Sequence, residues 1–201
     1  MTLLLEALVI ATGVFLGRIV ARALRTDAAQ PGAAAGGGGA TVESAFERFH
    51  CKLGDVIVRT AERDEAWLAG ALLFSEQSPI AALFVAPEAV ADRGIYVRAG
   101  APQIAWLAAV SGVAIPSGDP PSAIEQGGAP YERRRRIPVR VERLGTGAPI
   151  VGDRAIIAEY DGPGDACLVL VAGAAATLVF CGSRLSEGDY DVLPGDASTL
   201  E

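Results

Sequence analysis

Residues 137–143 read IPVRVER. Ile137, Val139 and Val141 fall on one side of an extended chain, and Arg140 and Glu142 fall on the other. Successive side chains of a strand point to opposite faces, so this alternation is a half-buried strand. It decides the fold, because the segments on both sides of it show the same short period. Downstream, Ala155 to Tyr160 runs into the turn cluster Asp161-Gly162-Pro163-Gly164-Asp165. Cys167 to Val171 and Thr177 to Cys181 flank Ala172 to Ala176 as the arms of a hairpin, and Tyr190 to Leu193 precedes Pro194-Gly195. Upstream lie Val56 to Val58, Ala66 to Phe74, Ile80 to Val85, Ile95 to Val97 and Ile104 to Leu107. Short apolar runs separated by Gly, Pro and Asp predict an all-β domain, a small barrel or a sandwich.

Between these two sets of strands, residues 114–136 are rich in Pro and Gly and end in four arginines, Arg133, Arg134, Arg135 and Arg136. The stretch has no period and is predicted to be an exposed loop. Five strands stand on either side of it. Ile57 matches Val139, Leu68 matches Ile156, Ala82 matches Val169, Tyr96 matches Val179 and Trp106 matches Val192, at a nearly constant offset. That spacing suggests a repeated five-strand unit. Evenly spaced strands of any β-rich chain can be aligned on themselves, and identity between the halves is slight, so both readings stay open.

The segment before the strands, TVESAFERFHCKL at 41–53, has another period. Val42, Phe46, Phe49 and Leu53 recur at four, three and four, with Thr41 placed to cap, which predicts a short amphipathic helix. Residues 26–40, TDAAQPGAAAGGGGA, are mostly Gly and Ala with a single Pro, and such a composition builds no core and acts as a flexible tether.

The N-terminal stretch Leu3 to Leu24, LLLEALVIATGVFLGRIVARAL, predicts a membrane anchor. As a helix it would span about 33 Å, enough for a hydrocarbon core of roughly 30 Å. Arg18, Arg22 and Arg25 share one helix face, and their long stems can carry the guanidinium heads to the headgroup level. Three other readings compete. A cleaved signal peptide wants its positive charge before the apolar run, and here the charge follows it. An in-plane amphipathic helix wants a polar face, which Ala7 to Gly17 lacks. A buried helix of a soluble domain is the third. The arginine excess on the C-terminal flank orients the anchor with its N-terminus outside and the following domain in the cytoplasm. The predicted organisation is an anchor at 1–25, a linker at 26–40, the helix and first β unit at 41–113, the loop at 114–136, the second β unit at 137–196 and a tail at 197–201.

Composition narrows the function classes. The chain has 201 residues and a net charge of −7, which argues against a general nucleic-acid binder. Lys52 is the only lysine among 17 basic residues, a bias assigned to the source genome rather than to function. Three cysteines, Cys51, Cys167 and Cys181, are too few and too odd in number for a disulfide scaffold. His50 is the only histidine, so most catalytic triads and all multi-histidine metal sites are excluded. His50 and Cys51 are adjacent and badly placed for a dyad. A zinc site from His50 and the three cysteines lacks the paired spacing of such sites. No phosphate loop or dinucleotide fingerprint occurs, and no cofactor or metal is predicted. Trp67 and Trp106 read as packing residues. If the hairpin centres on Ala174, Cys167 and Cys181 lie opposite each other.

The basic cluster Arg133 to Arg136 reads either as a solvated loop or as a contact with anionic headgroups or an acidic partner. The expectation is therefore a single-pass, membrane-anchored β domain acting as a non-enzymatic binding or scaffold module, with the bilayer and a further protein as partners and no nucleic acid. A hydrolase at the membrane, using scattered carboxylates or Cys51, is the alternative from another class. A structural subunit of an envelope complex is the third.

Overall fold

The computed structural model describes residues 42–87, 92–113, 115 and 119–195. The chain divides into two units, Met1–Gly39 and Ala40–Glu201. The predicted anchor with Arg18, Arg22 and Arg25, the linker and the tail lie outside the described residues. Among the described residues, no helix is long and apolar enough to cross a membrane.

One helical turn, α1 (Val42–Ala45), is followed by twelve strands. They are β1 (Val56–Arg59), β2 (Glu65–Trp67), β3 (Gly70–Ser75), β4 (Pro79–Ala86), β5 (Arg93–Arg98) and β6 (Ile104–Ala109), then β7 (Ala123–Gln126), β8 (Ala129–Gly145), β9 (Arg154–Asp161), β10 (Ala166–Gly173), β11 (Thr177–Leu185) and β12 (Tyr190–Leu193). The domain is all-β, and of the two predicted architectures it is the barrel. Strands β3-β4-β5-β6 form one antiparallel meander and β8-β9-β10-β11 form a second. The meanders join twice: β6 pairs with β11, and β3 pairs with β8. Closure of these eight strands removes the sheet edges.

All eight strands send side chains into the interior. Leu72, Phe74, Leu83, Tyr96, Leu107, Val139, Ile157, Val169 and Phe180 form a single cluster there. An eight-stranded barrel is just wide enough for its own side chains to fill. Gly94 makes room for one of them, because a Cβ there would meet the Phe180 ring at 2.7 Å. The outer faces are covered as well. The small sheet β12-β1-β2 lies over the first meander, packing Ile57, Ala66 and Leu68 with Phe46 and Cys51 against Phe84, Ile95 and Trp106. Asp55, buried at the start of β1, holds that sheet together by accepting hydrogen bonds from the Lys52 and Gly195 N–H groups at 2.9 and 3.1 Å. Over the second meander, Ile124 and Tyr131 of the β7–β8 hairpin pack on Tyr160, Leu168 and Leu170. Strands covered on both faces read as continuous apolar runs, which is why β4 and β10 showed no alternation in sequence.

The two ends of the barrel differ. At one end the β8–β9 connection tucks Ala148 and Val151 into the interior, and the Arg143 guanidinium donates to the Ala148 carbonyl at 2.8 Å. Gly70 and Gly173 admit this plug, since a Cβ on either would collide with the backbone of the connection. The other end carries Arg98, Glu159, Cys167 and Arg184.

Four local expectations need correction. The helix expected over 41–53 is a single turn, after which Phe46, Cys51 and Leu53 are buried from turns. Isolated helices of that length are marginal, and docking of the aromatic residues decides the backbone. Ala66 to Phe74 is not one strand: β2 ends at Trp67, Leu68 and Ala69 cross over, and β3 begins the barrel at Gly70. The loop expected at 114–136 contains β7 and the first part of β8, a hairpin turned by Gly127 and Gly128, both with positive φ. Finally, the strands that occupy matching places in the two meanders are β3 with β8, β4 with β9, β5 with β10 and β6 with β11. The alignment of Ala82 with Val169 joins β4 to β10 and is one strand out.

Candidate functional site

The long strand β8 shapes the polar end. Its register against β9 shifts between Arg133 and Arg135: Arg133 pairs with Tyr160, Arg135 pairs with Glu159, and Arg134 is the extra residue of a β-bulge. A bulge re-aims side chains. Without it, Arg133 and Arg136 would face opposite sides of the strand. With it, both face outward and grip the segment at 119–121. The Arg133 guanidinium donates to the Pro120 carbonyl, and Arg136 places its Nε and Nη2 on one Asp119 carboxylate oxygen at 3.0 and 2.7 Å. Tyr160, also on this outer face, donates to the Pro121 carbonyl at 2.9 Å. The four arginines predicted as one cluster thus divide into two that hold a strap and two, Arg134 and Arg135, that turn toward the barrel mouth.

At the mouth, Arg98 from the end of β5 and Arg184 from the end of β11 join Arg134, Tyr96, Glu159 and Cys167 around a cavity of about 60 Å³. Arg184 is paired with Asp161. Arg98, Arg134 and Arg135 have no hydrogen-bond or ion-pair partner among the described residues. Behind them, Glu159 is buried, and its Oε1 accepts the Tyr96 hydroxyl at 2.7 Å. Burial first, and then the field of Glu159, pushes the Tyr96 hydroxyl well above its ordinary range, so it stays protonated and remains a donor. A wider cleft of about 410 Å³ adjoins, bounded by Glu132, Arg133, Arg134 and Pro163. Arg134 borders both spaces. Sequence reasoning found Arg134 and Arg135 but missed Arg98, Arg184, Tyr96 and Glu159. The signal available was their position at strand ends, and it becomes useful only with the closure of the barrel.

The cysteines occupy three separate places. Cys51 is buried under the small sheet, and burial raises its thiol pKa, with Asp55 adding to the shift. Cys167 faces the interior, where burial raises it to about 11 against the lowering field of Arg184. Cys181 faces outward, its thiol 3.2 Å from the Tyr131 hydroxyl. All three are free thiols. The hairpin pairs Cys167 with Gly182 and Leu168 with Cys181. It centres between Ala174 and Ala175, half a residue from the expected point, and a slip of one position puts two side chains on opposite faces. His50 is exposed, whereas Cys51 beside it is buried. Among the described residues, no group of three His, Cys, Asp or Glu side chains is placed to hold a metal ion.

The fold and site together define a closed eight-stranded barrel, plugged at one end and arginine-lined at the other. Scans against protein-family models, curated proteins and solved structures find no match to this chain.

Proposed function

We propose that the chain is a membrane-tethered binding module, without catalysis of its own, that turns the basic mouth of its barrel toward anionic groups at the membrane surface. The observation that carries this reading is the set Arg98, Arg134 and Arg135, unpartnered among the described residues of a protein with net charge −7. An acidic protein has carboxylates to spare, so guanidinium groups left without one, Arg98 and Arg134 at the cavity and Arg135 next to them on β8, point to an outside partner. The apolar stretch Leu3 to Leu24 and the Gly/Ala linker after it support the tether. Cys51 gives the hydrolase alternative little support, because a buried thiol with a raised pKa is a poor nucleophile. The strand order also supports a duplication, of four barrel strands rather than five: like strands of the two meanders meet at both seams, as a two-fold axis across the barrel requires.

The full-length protein is expected to resist alkaline carbonate extraction, and the fragment beginning at Thr41 to be soluble. That fragment is expected to float with anionic vesicles at low salt and to lose most of that binding in the Arg134→Gln/Arg135→Gln variant. Exposed charges are screened beyond about 8 Å at physiological ionic strength, so the difference shrinks as salt rises. Full-length protein in the soluble fraction at its unprocessed mass overturns the tether. Equal flotation of wild type and variant overturns the basic mouth as the contact.

A further inference from the structure

The mouth of the barrel gathers more positive charge than its own carboxylates neutralise, and it has a floor. Arg98, Arg134 and Arg184 line one cavity, each from a different strand. Arg184 already has Asp161 at its side, while Arg98 and Arg134 have no partner among the described residues. Below them is Glu159, with one oxygen taken by Tyr96 and the other without a partner among the described residues.

We infer that this mouth is a binding site for one phosphomonoester group, held by Arg98 and Arg134 with Arg184 as a third donor, and with its remaining P–OH donating to the free oxygen of Glu159. The inference rests on the reading of the domain as a binding module and names its ligand chemistry. Three observations lead to it. The first is direction. A planar carboxylate is satisfied by one guanidinium fork, whereas guanidinium groups arriving from three strands suit the several oxygens of a tetrahedral anion. The second is size. A cavity of about 60 Å³ is several times the roughly 10–15 Å³ that admits a single water, so it has room for a small anion. A sugar or base does not fit with it and would lie outside, in the cleft that shares Arg134. The third is Glu159 itself. A carboxylate at the floor repels a fully ionised anion but accepts a hydrogen bond from one that keeps a proton. Near pH 6 a large share of phosphomonoester and inorganic phosphate keeps one, since the second pKa of the ester is about 6. Sulfate and phosphodiesters do not.

Two sources offer this group, a lipid headgroup of the phosphatidic acid type and free phosphate. The test uses the full chain in a maltoside detergent, which contains no phosphate, at low salt and pH 6. Inorganic phosphate, sulfate, and dihexanoyl phosphatidic acid below its micelle concentration are titrated in turn by calorimetry. Saturable binding of phosphate is expected, with sulfate at least tenfold weaker and Arg134→Gln weakening phosphate at least tenfold. Arg134 is exposed at a bulge, so that variant folds, and its melting temperature checks this. Phosphatidic acid binding at least tenfold tighter than phosphate identifies the lipid source, and equal affinities identify the free group. Absence of saturable binding by both phosphate probes overturns the site. So does sulfate binding as tightly as phosphate, or an Arg134→Gln variant that binds like wild type. Vesicle flotation that survives such a failure leaves the binding-module reading standing, whereas phosphate binding without flotation removes the surface contact and keeps the site.

Discussion

At the scale of residues, a register difference of one position decides which chemistry is open to a side chain. Cys167 and Cys181 sit on adjacent strands, yet Cys167 belongs to the barrel interior and Cys181 to the outer layer against Tyr131. Cysteines whose Cβ vectors point to opposite faces cannot be bridged without moving the backbone. Oxidation of the folded protein with diamide is therefore expected to give no Cys167–Cys181 disulfide, and peptide mapping by mass spectrometry reads this directly. A high yield of that bridge from native protein would show that the hairpin is paired in another register. The same logic applies to Arg133 and Arg136: three positions apart, they share a face only because Arg134 is bulged. The sequence shows four equivalent arginines, and only the register divides them into a structural pair and a free pair.

At the scale of elements, the plugged end depends on glycine at two strand termini. A Cβ at Gly173 would run into the Val151 carbonyl, so the β8–β9 connection can enter the barrel only while that position is bare. Overpacking of this kind costs about 1–3 kcal/mol. Gly173→Val is therefore expected to lower the melting temperature by roughly 3–10 °C, at about 2–4 °C per kcal/mol for a domain of this size. Gly164→Ala serves as a comparison, since nothing lies near its Cβ, although its positive φ adds a small strain. A Gly173→Val protein as stable as wild type would mean that the plug does not sit where Val151 is described. How much of this was legible beforehand follows from the physics of each element. Ile137 to Arg143 has one face covered, so its alternation identified a strand at once, and Tyr190 to Leu193 was bounded by its own turn residues. Ala66 to Phe74 reads as one strand because Leu68 to Phe74 is buried without a break, through the crossover and into β3. Continuous apolar sequence carries no sign of the crossover at Leu68 and Ala69. The hairpin of β7 and β8 is hidden in the sequence because the prolines around it and the glycines of its turn mask short arms with few apolar residues, Ile124 on β7 and Tyr131 on β8. The mouth was legible only in part: arginines clustered in sequence were visible, but Arg98, Glu159 and Arg184 come from separate strands and meet only when the barrel closes.

At the scale of the whole molecule, closure joins β3 to β8 and the covering sheet joins β1 to β12 across long stretches of chain, so the seams, interior and covering layers are expected to unfold together. The buried titratable groups then predict how that stability depends on pH. Burial, then Glu159, raises Tyr96 well above 10. Burial likewise raises Tyr160 and Tyr190, lifts Cys167 to about 11 and raises Cys51 further. Every one of these groups is neutral when protonated, and its folded-state pKa lies above its unfolded value. Below about pH 8 they are protonated in both states and contribute their full stability. Above about pH 9 for the thiols and pH 10 for the tyrosines, the unfolded chain releases protons that the folded chain retains, and stability falls until the folded-state values are passed. A group inside that window contributes about 1.4 kcal/mol of loss per pH unit. The urea midpoint is therefore expected to be flat between pH 7 and 8, to decline from pH 9 and to steepen beyond pH 10. Tyr96→Phe separates this effect from general charge repulsion, which would also grow with pH in a protein already at −7. Removing the hydroxyl costs about 1–3 kcal/mol at neutral pH, because the buried Glu159 oxygen loses its donor. It also removes one titrating group, so the variant's decline above pH 10 is expected to be shallower than that of wild type by about 1.4 kcal/mol per pH unit. Parallel declines would mean that Tyr96 ionises as freely as in the unfolded chain, and that the Tyr96–Glu159 hydrogen bond at the floor of the mouth does not form.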